Sequence, residues 1–136
     1  MQKTNFKYEI IIHDDASEDN TAEIIKEYEQ NYPGLIYGIY ESHNQWGCHF
    51  PVLDWIIELQ KQHCKGKYIA SCEGDDYWID MQKLQLQVDY MENHPECMMS
   101  IHDGLDVDFR NNIIKSKSLY AKDCIIRPEE IITQRH

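Results

Sequence analysis

Apolar positions along this chain change their spacing in a regular way, and the changes predict an alternation of strands and helices. Residues 8 to 12 (YEIII) form a short run rich in Ile, which reads as a buried strand running into the polar cluster HDDASEDNT. From Thr21 to Tyr32, Ile24, Ile25, Tyr28 and Tyr32 recur at helical spacing, and Pro33-Gly34 supplies the stop. Leu35 to Tyr40 (LIYGIY) predicts a second strand. After the loop ESHNQWGCHF a second helix is expected from about Pro51 to His63, with Val52, Ile56 and Leu59 on one face and Lys65-Gly66-Lys67 closing it.

Tyr68 to Cys72 (YIASC) reads as a third strand, ending at Glu73-Gly74-Asp75-Asp76. Met81, Leu84, Val88 and Met91 are spaced for a third helix, which Asn93-His94-Pro95 ends before the apolar segment CMMSI, read as another strand. Asp106 to Phe109 and Ile113 to Lys117 around Asn111-Asn112 predict a hairpin, with a short helix near Pro128 to Thr133. Strands alternating with helices of this length imply an α/β fold with a mostly parallel, doubly wound sheet. In such sheets ligands bind beyond the carboxyl ends of the strands, where both acidic clusters fall.

Composition narrows the partners. A chain of 136 residues is one domain's worth, and 42% apolar residues suit a globular core rather than disorder. Twenty-four acidic residues against 13 basic ones give a formal charge of -11, which argues against nucleic acid as a partner. A phosphorylated ligand on so acidic a protein calls for a cation between the negative groups. Cys48, Cys64, Cys72, Cys97 and Cys124 form no CxxC pair, and Met1 opens into polar sequence, so the expectation is a reducing, cytoplasmic setting with membrane contact at most peripheral.

The acidic clusters carry the candidate chemistry. In Asp14-Asp15-Ala16-Ser17-Glu18-Asp19-Asn20-Thr21 the later residues suit a turn and helix cap, with Asp19, Asn20 or Thr21 accepting from the first helical amides. Capping does not explain Asp14 and Asp15, because adjacent carboxylates at a strand mouth repel unless a cation or strong donor joins them. Glu73-Gly74-Asp75-Asp76-Tyr77-Trp78 places three carboxylates in four residues, and an oxygen-only set of few ligands suits Mg²⁺ or Mn²⁺. Gly74 frees the backbone to turn between them. A zinc set from His43, Cys48, His49, His63 and Cys64 is disfavoured, since no CxxC or HxxxH pair exists.

From about Phe6 to Asp103 the chain resembles the nucleotide-sugar-binding half of the family 2 glycosyltransferases. YEIIIHDDASEDNTAEII is similar to their strand, Asp-Asp-x-Ser-x-Asp-x-Thr and helix element; KGKYIASCEGDDYW is similar to their KGKYI and D-x-D-D-x-W element, about 60 residues on. The resemblance implies an inverting, metal-dependent enzyme of GT-A fold that takes a nucleoside diphosphate sugar, UDP-linked by expectation, to a glycan or lipid-linked acceptor in cell-envelope polysaccharide synthesis. It implies nucleotide contacts from Asp14 or Asp15, from Asn44 and from Asp75, and a metal held by Asp75, then Asp76 and Glu73. Glu73 departs from the more frequent Asp, and Gln45-Trp46-Gly47-Cys48 departs from the usual Gly-rich continuation after Asn44.

The same comparison implies one partial GT-A domain over 1–136, with the donor and metal half at about 6–103 and a hairpin and short helix over 104–136. A first strand, with its own nucleotide contact, and the segment carrying the catalytic base are expected outside this chain. That first strand would lie between 8–12 and 68–72, so the isolated chain is expected to self-associate through open edges or to be marginally stable. Asp103 is not assigned as base, and Trp78 is read equally as core or as a stacking surface. A sugar-nucleotide-binding remnant without transfer activity is the alternative. A nucleotidyltransferase is disfavoured, because no Gly-rich basic phosphate loop is present.

Overall fold

Three consecutive isoleucines open the first strand, β1 (Ile10–Asp14), in the computed structural model, which describes residues 1–46 and 52–117. β1 starts and ends two residues later than the apolar run suggests, because the main-chain ladder continues past it: Glu41 N donates to Asp14 O at 2.9 Å. Helix α1 (Thr21–Asn31) follows. Its cap is Asp19, whose Oδ1 accepts from Thr21 N at 3.0 Å, whereas Asn20 at the N-cap position makes no side-chain cap bond. The Thr21 bonds hold the exposed Asp19 carboxyl below its usual range. The helix closes through Tyr32 N to Tyr28 O, and Gly34 takes the left-handed turn at φ 81° that lets the chain reverse.

Strand β2 (Ile36–Tyr40) then pairs with β1 in parallel, from Ile10 opposite Ile36 to Asp14 opposite Tyr40. Paired positions of parallel strands share a face, so Ile10, Ile12, Asp14, Ile36, Gly38 and Tyr40 lie on one side and Ile11, His13, Tyr37 and Ile39 on the other. α1 covers the first side. Ile25 and Ile36 are buried there at 5% and 7% exposure, and Glu29 grips β2 through Gly38 N at 2.7 Å and Tyr40 Oη at 2.6 Å. A side chain at Gly38 would run into the Tyr40 ring, so the missing Cβ is what lets that ring fold back to Glu29. Desolvation first, then the Glu29 carboxylate, pushes the Tyr40 phenol up to about 12.

Helix α2 (Val52–His63) serves the other side, where Trp55 meets His13 edge to face with centroids 5.1 Å apart. Its exit is tied to the residue that precedes β1 by Lys65 N, which donates to Glu9 Oε1 at 2.7 Å. A cavity of roughly 430 Å³ remains on this side, lined by Ile11, Tyr37, Ile39, Gln62 and His63 among others. Residues 68–72, expected as a third strand, are not one: among the described residues the sheet stops at two strands. A strand exists only where a neighbour pairs its amides. The order implied by the resemblance puts another strand between these residues and β1, and none of the described residues takes that place.

The segment through Leu84 forms one compact unit and Gln85 onward a second, with α3 (Lys83–Asn93) crossing the boundary. In the second unit Tyr90 stacks on His94 at 4.3 Å, and Gln87 Nε2 donates to Ser100 Oγ at 3.1 Å. CMMSI is irregular rather than a strand, again for want of a paired neighbour. The expected hairpin is present as antiparallel β3 (Gly104–Val107) and β4 (Ile113–Lys117), with an irregularity at Asp106/Val107. Asp108 builds its turn: Oδ1 accepts from Arg110 N and Asn112 N at 2.8 and 2.9 Å, while Asn111 takes φ 60°. The helix expected near 128–133 lies outside the described residues. The parallel β1–α1–β2 unit with α2 on its other side makes the fold mixed α/β, consistent with part of a GT-A, nucleotide-diphospho-sugar transferase-like fold.

Candidate nucleotide-sugar site

Asp14 is the last residue of β1 and the one buried acid, at 4% exposure, among the described residues. Its burial is compensated locally, because Oδ1 accepts from Ser17 N at 3.2 Å. Between them Ala16 sits at φ 58°, a left-handed conformation that an L residue adopts at a cost of about 1 kcal/mol. This tight reversal turns the chain from the strand tip towards α1 and aims Asp15 the other way, across to the loop that follows β2.

Asp15 meets that loop with both carboxylate oxygens. Gln45 N donates to Oδ1 at 2.6 Å and Trp46 N donates to Oδ2 at 2.8 Å, while Asn44 Nδ2 donates to the Asp15 carbonyl at 3.3 Å. Bonds from amides to an ionised carboxylate are short and among the stronger hydrogen bonds in proteins. Beside them His13 Nε2 lies 3.4 Å from Glu41 Oε1, a second side-chain link between the two strand ends. Two residues singled out from the sequence, Asp15 and Asn44, are therefore linked at the carboxyl ends of two parallel strands, while the third, Asp14, ends β1 with its side chain on Ser17.

Glu73, Asp75 and Asp76 occupy a separate turn, closed by Asp76 N donating to Glu73 O at 3.1 Å. All three side chains are exposed. Cys72 begins the turn, its thiol 3.6 Å from the Asp76 carbonyl; burial and then the Asp76 charge push that thiol up. Trp78 is half-buried beneath Lys83, whose Nζ stands 4.1 Å from the ring centroid. Burial holds the Lys83 ammonium below its usual range, and the neighbouring Cys72 opposes that shift. Lys83 was not singled out from the sequence; its place eight residues after Asp75, at the start of α3, was the available signal.

As a metal set the acids fit in donor chemistry: three hard oxygen ligands on one Gly-containing turn suit Mg²⁺ or Mn²⁺. Among the described residues no three His, Cys, Asp or Glu side chains already converge on one point. Of the disfavoured zinc residues, His43 is exposed beside Ser42, His63 lines the cavity under α2 and Cys64 is half-buried. Cys48 and His49 lie outside the described residues. Asp103 is exposed, its carbonyl accepting from the His102 ring at 2.8 Å. No described helix is long and apolar enough to cross a membrane.

A parallel βαβ unit with polar residues at its strand tips places this part of the chain among α/β proteins, whose ligands lie beyond the carboxyl ends of the strands. Residues 1–49 match the family model described as Glycosyl transferase family 2. The chain is similar to an uncharacterized protein of Mycobacterium tuberculosis, 44% identical over 101 residues that cover 74% of this chain and 28% of the relative. It is similar as well to the putative glycosyltransferase EpsE of Bacillus subtilis, 33% identical over 87 residues, 64% of this chain and 29% of that protein. A protein of Mycoplasma pneumoniae named an uncharacterized glycosyltransferase is 33% identical over 73 residues, 54% of this chain and 22% of its own length. The chain thus spans about a quarter of the length of these curated relatives. No solved structure matches it. The family match and the two relatives named as glycosyltransferases together support a glycosyltransferase of family 2.

Proposed function

We propose that this chain forms the donor-binding part of an inverting, metal-dependent glycosyltransferase that draws its sugar from a nucleoside diphosphate sugar, UDP-linked by preference. One observation carries the reading: Asn44 is joined to Asp15, which follows the buried Asp14 at the tip of a parallel strand pair, within the segment that matches the family model. Ligands of α/β folds lie beyond such tips, and an amide-rich, acid-lined corner suits the donors of a nucleobase and ribose.

In this proposal Asp14, Asp15 and Asn44 form the nucleoside end of the site. Asp75, with Asp76 and Glu73 beside it, holds Mg²⁺ or Mn²⁺ and the diphosphate end. The bound cation would offset charge on the departing nucleoside diphosphate. The protein's own contribution is to orient: the Asp15 bonds fix the loop after β2, and the turn at Gly74 presents carboxylates to solvent in a form a hard cation can collect. The acceptor, a glycan or lipid-linked hydroxyl, and the base that deprotonates it are assigned to no residue of this chain. A peripheral position at the inner face of the cell membrane and self-association of the isolated chain complete the proposal.

The test is calorimetric titration of UDP into the full chain with and without Mn²⁺, followed by an assay for donor hydrolysis or transfer. Metal-dependent UDP binding is the expected result. Absence of binding under both conditions contradicts the reading, and binding without turnover assigns the chain to the non-catalytic alternative.

A further inference from the structure

Trp46 follows the donor loop and is 68% exposed, although indole is among the side chains with most to gain from burial. Its exposure is not that of a loose loop tip. The Trp46 amide is held by Asp15 Oδ2 at 2.8 Å, the preceding amide of Gln45 by Oδ1 at 2.6 Å, and the Asn44 side chain returns to the Asp15 carbonyl. Three successive residues are thus anchored to Asp15 at the end of β1, and the backbone that carries the exposed Trp46 indole is held beside that strand tip.

Asp15 has both oxygens engaged by main-chain donors, so its main effect on a ligand runs through the loop it holds. We infer that Asp15 is a positioning residue that latches Asn44, Gln45 and Trp46 to the tip of β1, and that the loop presents the Trp46 indole as a stacking surface for the donor's nucleobase. This rests on the nucleotide-sugar reading above and assigns two residues within it. Stacking suits the chemistry, because a pyrimidine offers a π-face whatever its edge groups, and stacking of a base on an aromatic side chain is lost on removal of the ring.

The experiment compares UDP with inorganic pyrophosphate, each with Mn²⁺, on the full chain and on Trp46→Leu, Trp46→Phe and Asp15→Asn. Trp46→Leu keeps apolar bulk and removes the ring; it is expected to weaken UDP about tenfold or more and to leave pyrophosphate unchanged. Trp46→Phe retains a ring and should recover most of the affinity. Asp15→Asn, which turns one acceptor into a donor facing a donor, should weaken UDP in the same base-dependent way, while Trp46 emission shifts in a chain with Trp55 and Trp78 replaced by Phe. A merely structural role for Asp15 would lower thermal stability without this selectivity for the base. If UDP binds the wild-type chain and Trp46→Leu equally, the stacking assignment is overturned and the donor-site reading stands. If the wild-type chain binds pyrophosphate but gains nothing from uridine, both fall.

Discussion

Two acidic strand-end segments of similar composition behave in opposite ways. At the tip of β1, Asp14 and Asp15 are consumed by the fold: one is buried on Ser17 N, the other clasped by the amides of Gln45 and Trp46. At the Glu73–Asp76 turn, three carboxylates stand exposed, and the turn is closed on main-chain carbonyls, by Asp76 N on Glu73 O and by the Cys72 thiol on Asp76 O. Adjacent like charges persist in the first segment because main-chain donors separate and satisfy them, and in the second because water does. The difference marks the first segment as held by the fold and the second as open to solvent, which is where the proposed function puts the cation.

Substitutions separate these roles. The largest effect on stability is expected from Asp14→Ala, which removes the buried carboxylate that accepts from the Ser17 amide and should cost about 2 kcal/mol in denaturant unfolding. Asp75→Asn should instead leave the unfolding midpoint within about 0.5 kcal/mol of the parent, as expected of an exposed site, while weakening Mn²⁺-dependent UDP binding roughly tenfold. Equal loss of stability from both substitutions would erase the distinction.

Away from both segments, the Glu29–Tyr40 contact sharpens the comparison through pH. The unfolded phenol deprotonates near its ordinary value of 10.0, whereas the folded one is pushed up to about 12. Above that ordinary value the unfolded state therefore binds fewer protons than the folded one, and this contribution to stability falls as pH rises from 10.0 towards 12. Glu29, lowered first by the Tyr40 hydroxyl, contributes above its ordinary 4.5 and loses that contribution as the medium becomes more acidic. Tyr40→Phe should flatten the alkaline limb in pH-dependent thermal unfolding and leave UDP binding unchanged. The smallest effect is expected from Ala16→Gly: relief of the φ 58° strain, offset by greater freedom of the unfolded chain, should stabilise by about 0.5 kcal/mol in the same unfolding assay.

Local elements were legible in the sequence wherever one segment supplied its own pairing or periodicity. The Ile run, the Thr21–Asn31 helix with its Pro-Gly stop, α2 and the hairpin around Asn111 all stand where spacing placed them, within a residue or two. The segments at 68–72 and CMMSI did not become strands, because apolar patterning announces a willingness to pair and cannot supply the partner. Of the residue types singled out, Asn44 does reach Asp15, while Asp14 turns to Ser17 instead. What spacing could not reveal was the manner of meeting, since amides such as those of Gln45 and Trp46 carry no signature in side-chain pattern. The Lys83–Trp78 contact was hidden for a related reason, a cation over a ring depending on how α3 enters rather than on motif spacing.

The central claim is that these two unlike segments serve a single ligand, and paramagnetic broadening tests it most directly. With ¹⁵N-labelled chain and substoichiometric Mn²⁺, the amides of the Glu73–Asp76 turn should broaden first. Addition of UDP should then extend broadening to Ser17, Gln45 and the Trp46 indole. If UDP leaves those three signals sharp while the acidic turn still binds Mn²⁺, the two segments do not share a nucleotide diphosphate and the account is wrong.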